Sequence, residues 1–122
     1  MEEIQNSKHY DLEDRTFEYS KRIIKLCKSL GNDLINRNLA NQLIRSGTSM
    51  GANYREANET ETKKDFQFRI RICRKEGKET VYWVKLVMEA NPEIAERLES
   101  LLQETNELVK IFVAILEKTK SV

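Results

Sequence analysis

Apolar residues recur along this chain every three or four positions, a spacing that places side chains on one face of an α-helix. Four stretches keep this period over several turns. In chain order the stripes are Phe17, Ile24 and Cys27, widened by Ile23, Leu26 and Leu30; Leu39, Leu43, Gly47, Met50, Tyr54 and Ala57; Phe66, Ile70, Cys73, Gly77, Thr80 or Val81, Val84 and Met88; and Ile94, Leu98, Leu101, Thr105, Leu108, Phe112 and Ile115. The pattern predicts four amphipathic helices.

Residues that cap helices mark where these elements begin and end. Asp11 is a good N-cap for the first helix, and Gly31 is suited to end it. An Asn within residues 36–38 predicts the start of the second helix, and Thr62, three residues before an Asp, resembles a capping box for the third. The run Asn-Pro-Glu at residues 91–93 combines an N-cap with a proline at the first helical position, and predicts the start of the fourth.

Short connections between four amphipathic helices predict an all-α fold, an antiparallel up-down-up-down four-helix bundle. We expect residues 11–118 to form the bundle, residues 1–10 a loose N-terminal leader and residues 119–122 a C-terminal tail. The fourth helix also carries a second apolar stripe, formed by Leu102, Val109 and Leu116. A helix with two apolar stripes contacts more than one neighbour or a second subunit, which favours self-association.

The segment of residues 45–57 is predicted to be helical although it contains two glycines, each of which costs about 1 kcal/mol relative to Ala inside a helix. Close packing against another helix would offset that cost. The segment also carries a polar row on one face, composed of Arg45, Ser46, Ser49, Asn53 and Glu56. We interpret this row as a network that links the second and third helices, for example through Glu56 with Arg69 or Arg71; a ligand or catalytic row and a subunit interface are the alternatives.

The net charge differs between regions of the chain, although it is close to zero overall. The 122 residues carry a net charge of +1, but residues 21–85 contain 15 basic and 7 acidic side chains, and residues 91–122 contain 4 and 6. Helical spacing places basic side chains together on the first and third helices, namely Lys21, Lys25 and Lys28, and Lys64, Arg71, Lys75 and Lys78. Repeated around an oligomer, these faces would neutralise many phosphates of RNA or single-stranded DNA. They would equally serve as solvated faces, with Lys75 and Glu79 paired within one helix.

Catalytic and metal-binding patterns are not evident in the sequence. His9 is the one histidine and falls in the predicted leader, and Cys27 and Cys73 fall on apolar faces with no CxxC spacing, as free buried thiols of a reducing cytoplasm would. The longest apolar run, residues 111–116, is too short to span a membrane. We therefore expect a cytoplasmic, non-enzymatic protein with no catalytic residues, cofactor, metal or membrane partner.

The chain resembles the four-helix-bundle proteins known as 23S rRNA-intervening-sequence proteins. The resemblance rests on QLIRSGTSMGANYREA at residues 42–57, KDF at 64–66 and TVYWV at 80–84, and extends over residues 17–116. Two features depart from the family pattern: Ala57 stands where many members have Gly, and the proline often found between helices 1 and 2 is missing.

The resemblance implies an antiparallel four-helix bundle that assembles as a ring, commonly a homopentamer, with no enzymatic activity attached to the family. A related branch, the accessory variability determinant proteins of diversity-generating retroelements, assists a reverse transcriptase and binds nucleic acid. Those proteins are strongly basic, unlike this chain. We expect an oligomeric assembly or interaction module that binds itself and a protein partner, with Tyr82 and Trp83 as core or interface aromatics. The alternative is a nucleic-acid-binding accessory protein.

Overall fold

The computed structural model describes the backbone of residues 2–120 and the side chains of residues 12–120. Its elements are α1 (Glu2–Ser29), α2 (Leu34–Asn58), α3 (Lys63–Ala90), two short 3-10 turns (Pro92–Ile94 and Glu96–Leu98) and α4 (Glu99–Lys120). Over these residues the chain contains four α-helices and no strand, which confirms the all-α prediction. None of the helices over this range combines the length and apolarity needed to cross a membrane.

Two predicted helix starts are wrong. Helix α1 begins at Glu2 rather than Asp11, because residues 2–10 contain no Pro or Gly that would stop the helix. Helix α2 is capped by Asp33, whose carboxylate accepts a hydrogen bond of 2.9 Å from the backbone N–H of Asn36, so the Asn lies in the first turn instead of capping it. The cap on α3 is confirmed, since the Thr62 hydroxyl accepts from the backbone N–H of Asp65.

The start of the fourth helix also differs from the prediction. Asn91 makes no capping hydrogen bond to the turn that follows it, and α4 begins only at Glu99. The Asn91 side chain is instead buried, where its amide donates to Asn36 Oδ1 at 2.9 Å and to the Val87 carbonyl at 2.9 Å. The Asn91 Oδ1 atom, which would accept a capping hydrogen bond, instead accepts from the Asn36 amide at 3.3 Å, so the beginning of α2 and the end of α3 are joined by a reciprocal pair of bonds.

The predicted N-terminal leader and C-terminal tail lie partly outside the described residues. Thr119 and Lys120 continue α4, whereas residues 121 and 122 lie outside. The side chains of residues 1–11, His9 among them, also lie outside the described part. The division of the chain into leader, bundle and tail therefore stays a prediction.

The core lies between the four helices, each of which packs on the next in chain order. Helix α1 also reaches α4, because the Tyr19 hydroxyl hydrogen-bonds the Thr105 hydroxyl. The buried apolar side chains are Tyr19, Ile23, Leu26, Leu43, Met50, Ala57, Ile70, Cys73, Val84, Val87, Leu98, Leu101, Leu108, Phe112 and Leu116. The burial of these apolar side chains is the main contribution to the stability of the fold.

Helices α1 and α2 approach each other at two glycines of the segment 45–57. A Cβ atom built on Gly47 would lie 2.9 Å from Ile23 Cγ1, and one built on Gly51 would lie 3.1 Å from Thr16 Oγ1. Both distances are shorter than ordinary van der Waals contact. The glycines therefore permit a helix contact that offsets their cost to helix propensity.

The buried face of α1 includes Ile23 and Leu26 of the predicted apolar stripe but is shifted away from two other members, Phe17 and Ile24. Tyr19 and Ile23 are buried, whereas Phe17 and Ile24, which were predicted on the core face, are 56% and 44% exposed. Both stripes keep helical spacing, so the choice between them depends on where α2 packs. The shift leaves two large apolar side chains on the outer surface of α1.

Candidate functional site

Part of the polar row on α2 connects this helix to α3. Ser46 is fully buried, with its hydroxyl oxygen 2.9 Å from the Thr80 hydroxyl oxygen. Asn53 Oδ1 accepts a hydrogen bond of 2.9 Å from the Arg69 guanidinium, and its amide donates to the Ser49 carbonyl at 3.0 Å. Ser46 and Asn53 therefore fix the register of α2 on α3.

The remaining residues of the row differ in position. The Arg45 guanidinium is exposed, donates to Gln42 Oε1 at 3.0 Å and lies 3.7 Å from Glu79 on α3. Ser49 is half-buried. Glu56 is exposed and makes no ion pair among the described residues, because it projects outward where Asn53, one turn earlier, meets Arg69. The pairs of Glu56 with Arg69 or Arg71, suggested by the sequence, are not formed.

Neither a metal-binding cluster nor a reactive thiol accompanies the polar row of α2 among the described residues. Among the described residues no group of three or more His, Cys, Asp and Glu side chains lies close enough to hold a metal ion. Burial raises the pKa of the Cys73 thiol to about 12 and also raises the pKa of Cys27. Thiols with raised pKa values are poor nucleophiles near neutral pH. What the structure shows for this row is the pair of hydrogen bonds from Ser46 and Asn53 to Thr80 and Arg69, which join α2 to α3.

Two buried polar atoms on α3 have no hydrogen-bond partner among residues 12–120: Glu76 Oε1 and the indole N–H of Trp83. Sequence reasoning missed Glu76, which lies within a strongly charged run and carries no local signal of burial. Trp83 is half-buried against the core, whereas Tyr82 is 58% exposed and stacks edge-on against it, with ring centroids 5.1 Å apart. The two candidate interface aromatics thus occupy different environments.

The basic residues predicted for nucleic-acid binding separate into paired and unpaired groups. Lys21 pairs with Glu18 at 3.0 Å, and Lys75 lies 3.6 Å from Glu76 and 3.9 Å from Glu79, which confirms the predicted pair within α3. The others are exposed and form no ion pair among the described residues: Lys25, Lys28, Lys64, Arg71 and Lys78. Both α1 and α3 therefore carry exposed cations that are free to contact a partner.

A continuous line of exposed residues follows the outer side of α3 at alternating spacings of four and three. We call it the α3 stripe: Lys64, Phe68, Arg71, Lys75, Lys78, Tyr82 and Lys85. Sequence reasoning found four of its cations but missed that two aromatics and Lys85 share their face. The sequence does contain a signal for it: these residues repeat at alternating spacings of four and three, as the buried residues of the same helix do.

An open groove of about 600 Å³ separates the outer edges of α1 and α2. Phe17 forms one wall, while Thr48, Gly51 and Ala52 supply small side chains on the other. At one end Glu13 Oε2 accepts a hydrogen bond from the Asn58 amide at 2.7 Å, so the rim is polar. The groove combines an exposed aromatic ring on α1 with small residues on α2, which suits the side chains of a partner helix.

Comparisons with known proteins agree with this architecture. The profile of the 23S rRNA-intervening sequence protein family matches residues 8–114. The chain is similar to a protein of unknown function from the S23 ribosomal protein family of Bacteroides thetaiotaomicron VPI-5482, solved in a crystal at 1.70 Å resolution. The two share 35% identity and a TM-score of 0.78, over 85% of this chain and 96% of the other. No curated protein matches this chain.

Proposed function

The chain belongs to the 23S rRNA-intervening sequence protein family, and from that premise we propose that it is a non-enzymatic, cytoplasmic interaction module that works as a homo-oligomer. The proposal includes an antiparallel bundle, which is supported for α1 and α2 because Ile23 lies against Gly47 and Thr16 against Gly51, so that later residues of α1 meet earlier residues of α2. The resemblance to family members that form rings supports a homopentamer as the assembled form, with a protein partner bound to its outer surface.

The observation that carries this proposal is the exposed apolar surface along the α1–α2 groove. Phe17 and Ile24 lie seven residues apart, two turns along one side of α1, and both are exposed; Phe17 lines the groove beside the small residues of α2. Burying one such side chain against a neighbouring subunit contributes about 1.5–3 kcal/mol. A second copy seated in the groove would cover Phe17.

The mass of the protein in solution, measured by light scattering, tests this assembly. We expect a mass several times the 14.3 kDa of one chain, five times for the ring. Phe17→Ser should reduce that mass at micromolar concentration because it removes the aromatic wall of the groove. Phe68→Ser is the matched control, since Phe68 is 54% exposed on α3 and Phe17 is 56% exposed on α1.

Two results would refute the assembly proposal. The first is a mass of 14.3 kDa for the unaltered chain at tens of micromolar. The second is equal loss of mass in both variants, which would show that any exposed aromatic has the same effect and that the groove is not the contact. Circular dichroism of each variant establishes that the helices are retained.

The second candidate function is nucleic-acid binding, as an accessory protein to RNA, to single-stranded DNA or to a reverse transcriptase. The observation that favours it is that Lys25 and Lys28 on α1, and Lys64, Arg71 and Lys78 on α3, are exposed with no ion pair among the described residues. The resemblance to accessory variability determinant proteins supports the same role. A salt titration tests it, because phosphate contacts give an affinity that falls steeply with salt; absence of binding at low salt would exclude it.

A further inference from the structure

We propose that the α3 stripe is a binding surface for single-stranded nucleic acid, with Phe68 and Tyr82 stacking on bases and the cations between and beside them contacting phosphates. The proposal rests on the second candidate function and adds to it the class of nucleic acid and the surface that binds it. It assigns α3, and not α1, as the binding helix.

The charges on the stripe specify a polyanion. From Lys64 to Lys85 every charged member is basic, and only Lys75 is paired within the described residues. The nearby acids Glu76 and Glu79 offset Lys75, at 3.6 Å and 3.9 Å, and Glu79 also lies 3.7 Å from Arg45, so the other cations of the stripe keep their charge unpaired among the described residues. Two acids do bound the stripe, Asp65 at its beginning and Glu89 beyond its end, so the basic surface has a defined length.

The two aromatic residues distinguish a single strand from a duplex. Phe68 is 54% exposed and Tyr82 is 58% exposed, and neither belongs to the buried core. They lie 14 residues apart, which is about 21 Å along the helix axis. Exposed rings stack on bases whose faces are accessible, as in single-strand-binding proteins, and a duplex keeps those faces covered.

Arg71, Lys75 and Lys78 lie between the two rings, so phosphates of a strand that stacks on both rings would pass over cations. The full stripe, from Lys64 to Lys85, extends about 32 Å. Alternation of rings and cations along one line is the arrangement that tracks a sugar–phosphate backbone without reading its sequence. An acidic protein helix would use the same cations but would gain little from the rings.

The structure also supplies a spectroscopic reporter of this contact. Trp83 is the single tryptophan of the chain, and its ring centroid lies 5.1 Å from that of Tyr82 in an edge-on arrangement. A base that stacks on Tyr82 would change the surroundings of the indole. Binding at the stripe should therefore alter Trp83 emission, whereas binding at α1 should leave it unchanged.

Fluorescence anisotropy of labelled oligonucleotides of about 15 nucleotides, a length within the range of single-strand sites, tests the proposal with single-stranded RNA, single-stranded DNA and duplex DNA. We expect both single strands to bind more tightly than the duplex. Phe68→Ala and Tyr82→Ala should each weaken single-strand binding about tenfold. Phe68→Tyr and Tyr82→Phe keep the rings and should restore the affinity.

The charge contribution is measured separately. The double variant R71Q/K78Q should weaken binding and reduce the slope of log affinity against log salt by about 1.4, or 0.7 for each phosphate contact to a single strand. Controls away from the stripe are Leu34→Ala, which removes a side chain that is 65% exposed at the start of α2, and Lys110→Gln on α4. Neither control should change the affinity, and thermal melting verifies the fold of every variant.

Different failures have different meanings. Binding that depends on Arg71 and Lys78 but not on the rings, or that is equal for duplex and single strand, would overturn the stacking proposal and leave nucleic-acid binding standing. Loss of affinity only on removal of Lys25 and Lys28 would place the site on α1 and overturn the assignment to α3. No binding at low salt would exclude both this proposal and the second candidate function. Polyglutamate that competes as well as a single strand would show a site for acidic proteins instead.

Discussion

Substituting Gly77 by Ala tests whether the approach of α3 to α4 limits side-chain size in the core. A Cβ atom built on Gly77 would lie 2.7 Å from Val109 Cγ2 and 3.1 Å from Met50 Sδ. We expect Gly77→Ala to destabilise the fold, although the same change in an open helix would stabilise it. The expected sign therefore depends on tertiary contact and opposes helix propensity.

The expected magnitude follows from two opposing effects. Replacing Gly by Ala within a helix contributes about 1 kcal/mol in favour of the variant. An extra methyl group in a well-packed core costs about 1–3 kcal/mol through displaced side chains and backbone. Met50 can rotate away from the new methyl, but the branched Val109 side chain has fewer alternatives. The net change is a loss of up to about 2 kcal/mol in the free energy of unfolding.

The assay is urea unfolding followed by circular dichroism, with the glycines of α2 as comparison sites. A Cβ on Gly47 would come within 2.9 Å of Ile23, and one on Gly51 would come no closer than 3.1 Å to Thr16. We expect the free energy of unfolding to fall most in Gly77→Ala, less in Gly47→Ala and least in Gly51→Ala. In this order the tightest contact carries the largest cost.

A double-mutant cycle with Val109→Ala separates the steric contact from other effects. If Val109 Cγ2 is the atom that obstructs the new methyl, G77A/V109A should be more stable than the sum of the single changes predicts, by about 0.5–3 kcal/mol. A higher melting temperature for Gly77→Ala than for the unaltered chain would refute the packing argument. Additive single and double changes would show that Val109 is not the limiting neighbour.

Two further predictions concern buried polar groups and the buried thiol. Asn36→Ala should lower the free energy of unfolding by about 1–3 kcal/mol because it leaves the buried Asn91 amide without that partner. Asn38→Ala, at an exposed site in the same helix, is the control. Equal losses for the two variants in urea titrations would contradict the role of the Asn36–Asn91 pair. Burial raises the pKa of the Cys73 thiol to about 12 from an ordinary 9.0, so the unfolded chain loses this proton at lower pH than the folded chain does. The free energy of unfolding should therefore fall above pH 9, by at most about 1.4 kcal/mol per pH unit from this group. In Cys73→Val the free energy of unfolding should fall less steeply between pH 9 and 11, whereas parallel curves for the two proteins would show that the thiol does not contribute.

Local sequence signals determined the helices themselves. The apolar period located four helices, and Thr62 before Asp65 predicted the start of α3 correctly, since a side-chain cap involves groups only three residues apart. The resemblance carried by residues 42–57 likewise identified the family that the profile match shows. These features depend on neighbours along the chain, so they can be read without knowledge of the packing.

Capping residues with competing partners were decided by tertiary structure. Asp33 and Asn36 are both good N-caps, and only the folded chain shows that the first caps α2 while the second is buried against Asn91. The hydrogen bond that Asn91 Oδ1 accepts from Asn36 occupies the oxygen needed for its predicted capping role at the start of the fourth helix. A polar side chain with a partner 55 residues away cannot be assigned from its sequence neighbours.

Packing between the helices also decides which surfaces are exposed, and so which surfaces support the proposals. Helical spacing places Phe17 and Tyr19 on nearly opposite sides of α1, and both sides carry apolar residues, so periodicity does not determine which one is buried. Contact with α2, made close by Gly47 and Gly51, buries Tyr19 and leaves Phe17 at the groove. The sequence by itself determined the helices, their apolar faces and the family, because those follow from short-range order. The orientation of each helix about its axis follows from contacts between distant residues, and that orientation decided which side chains meet solvent.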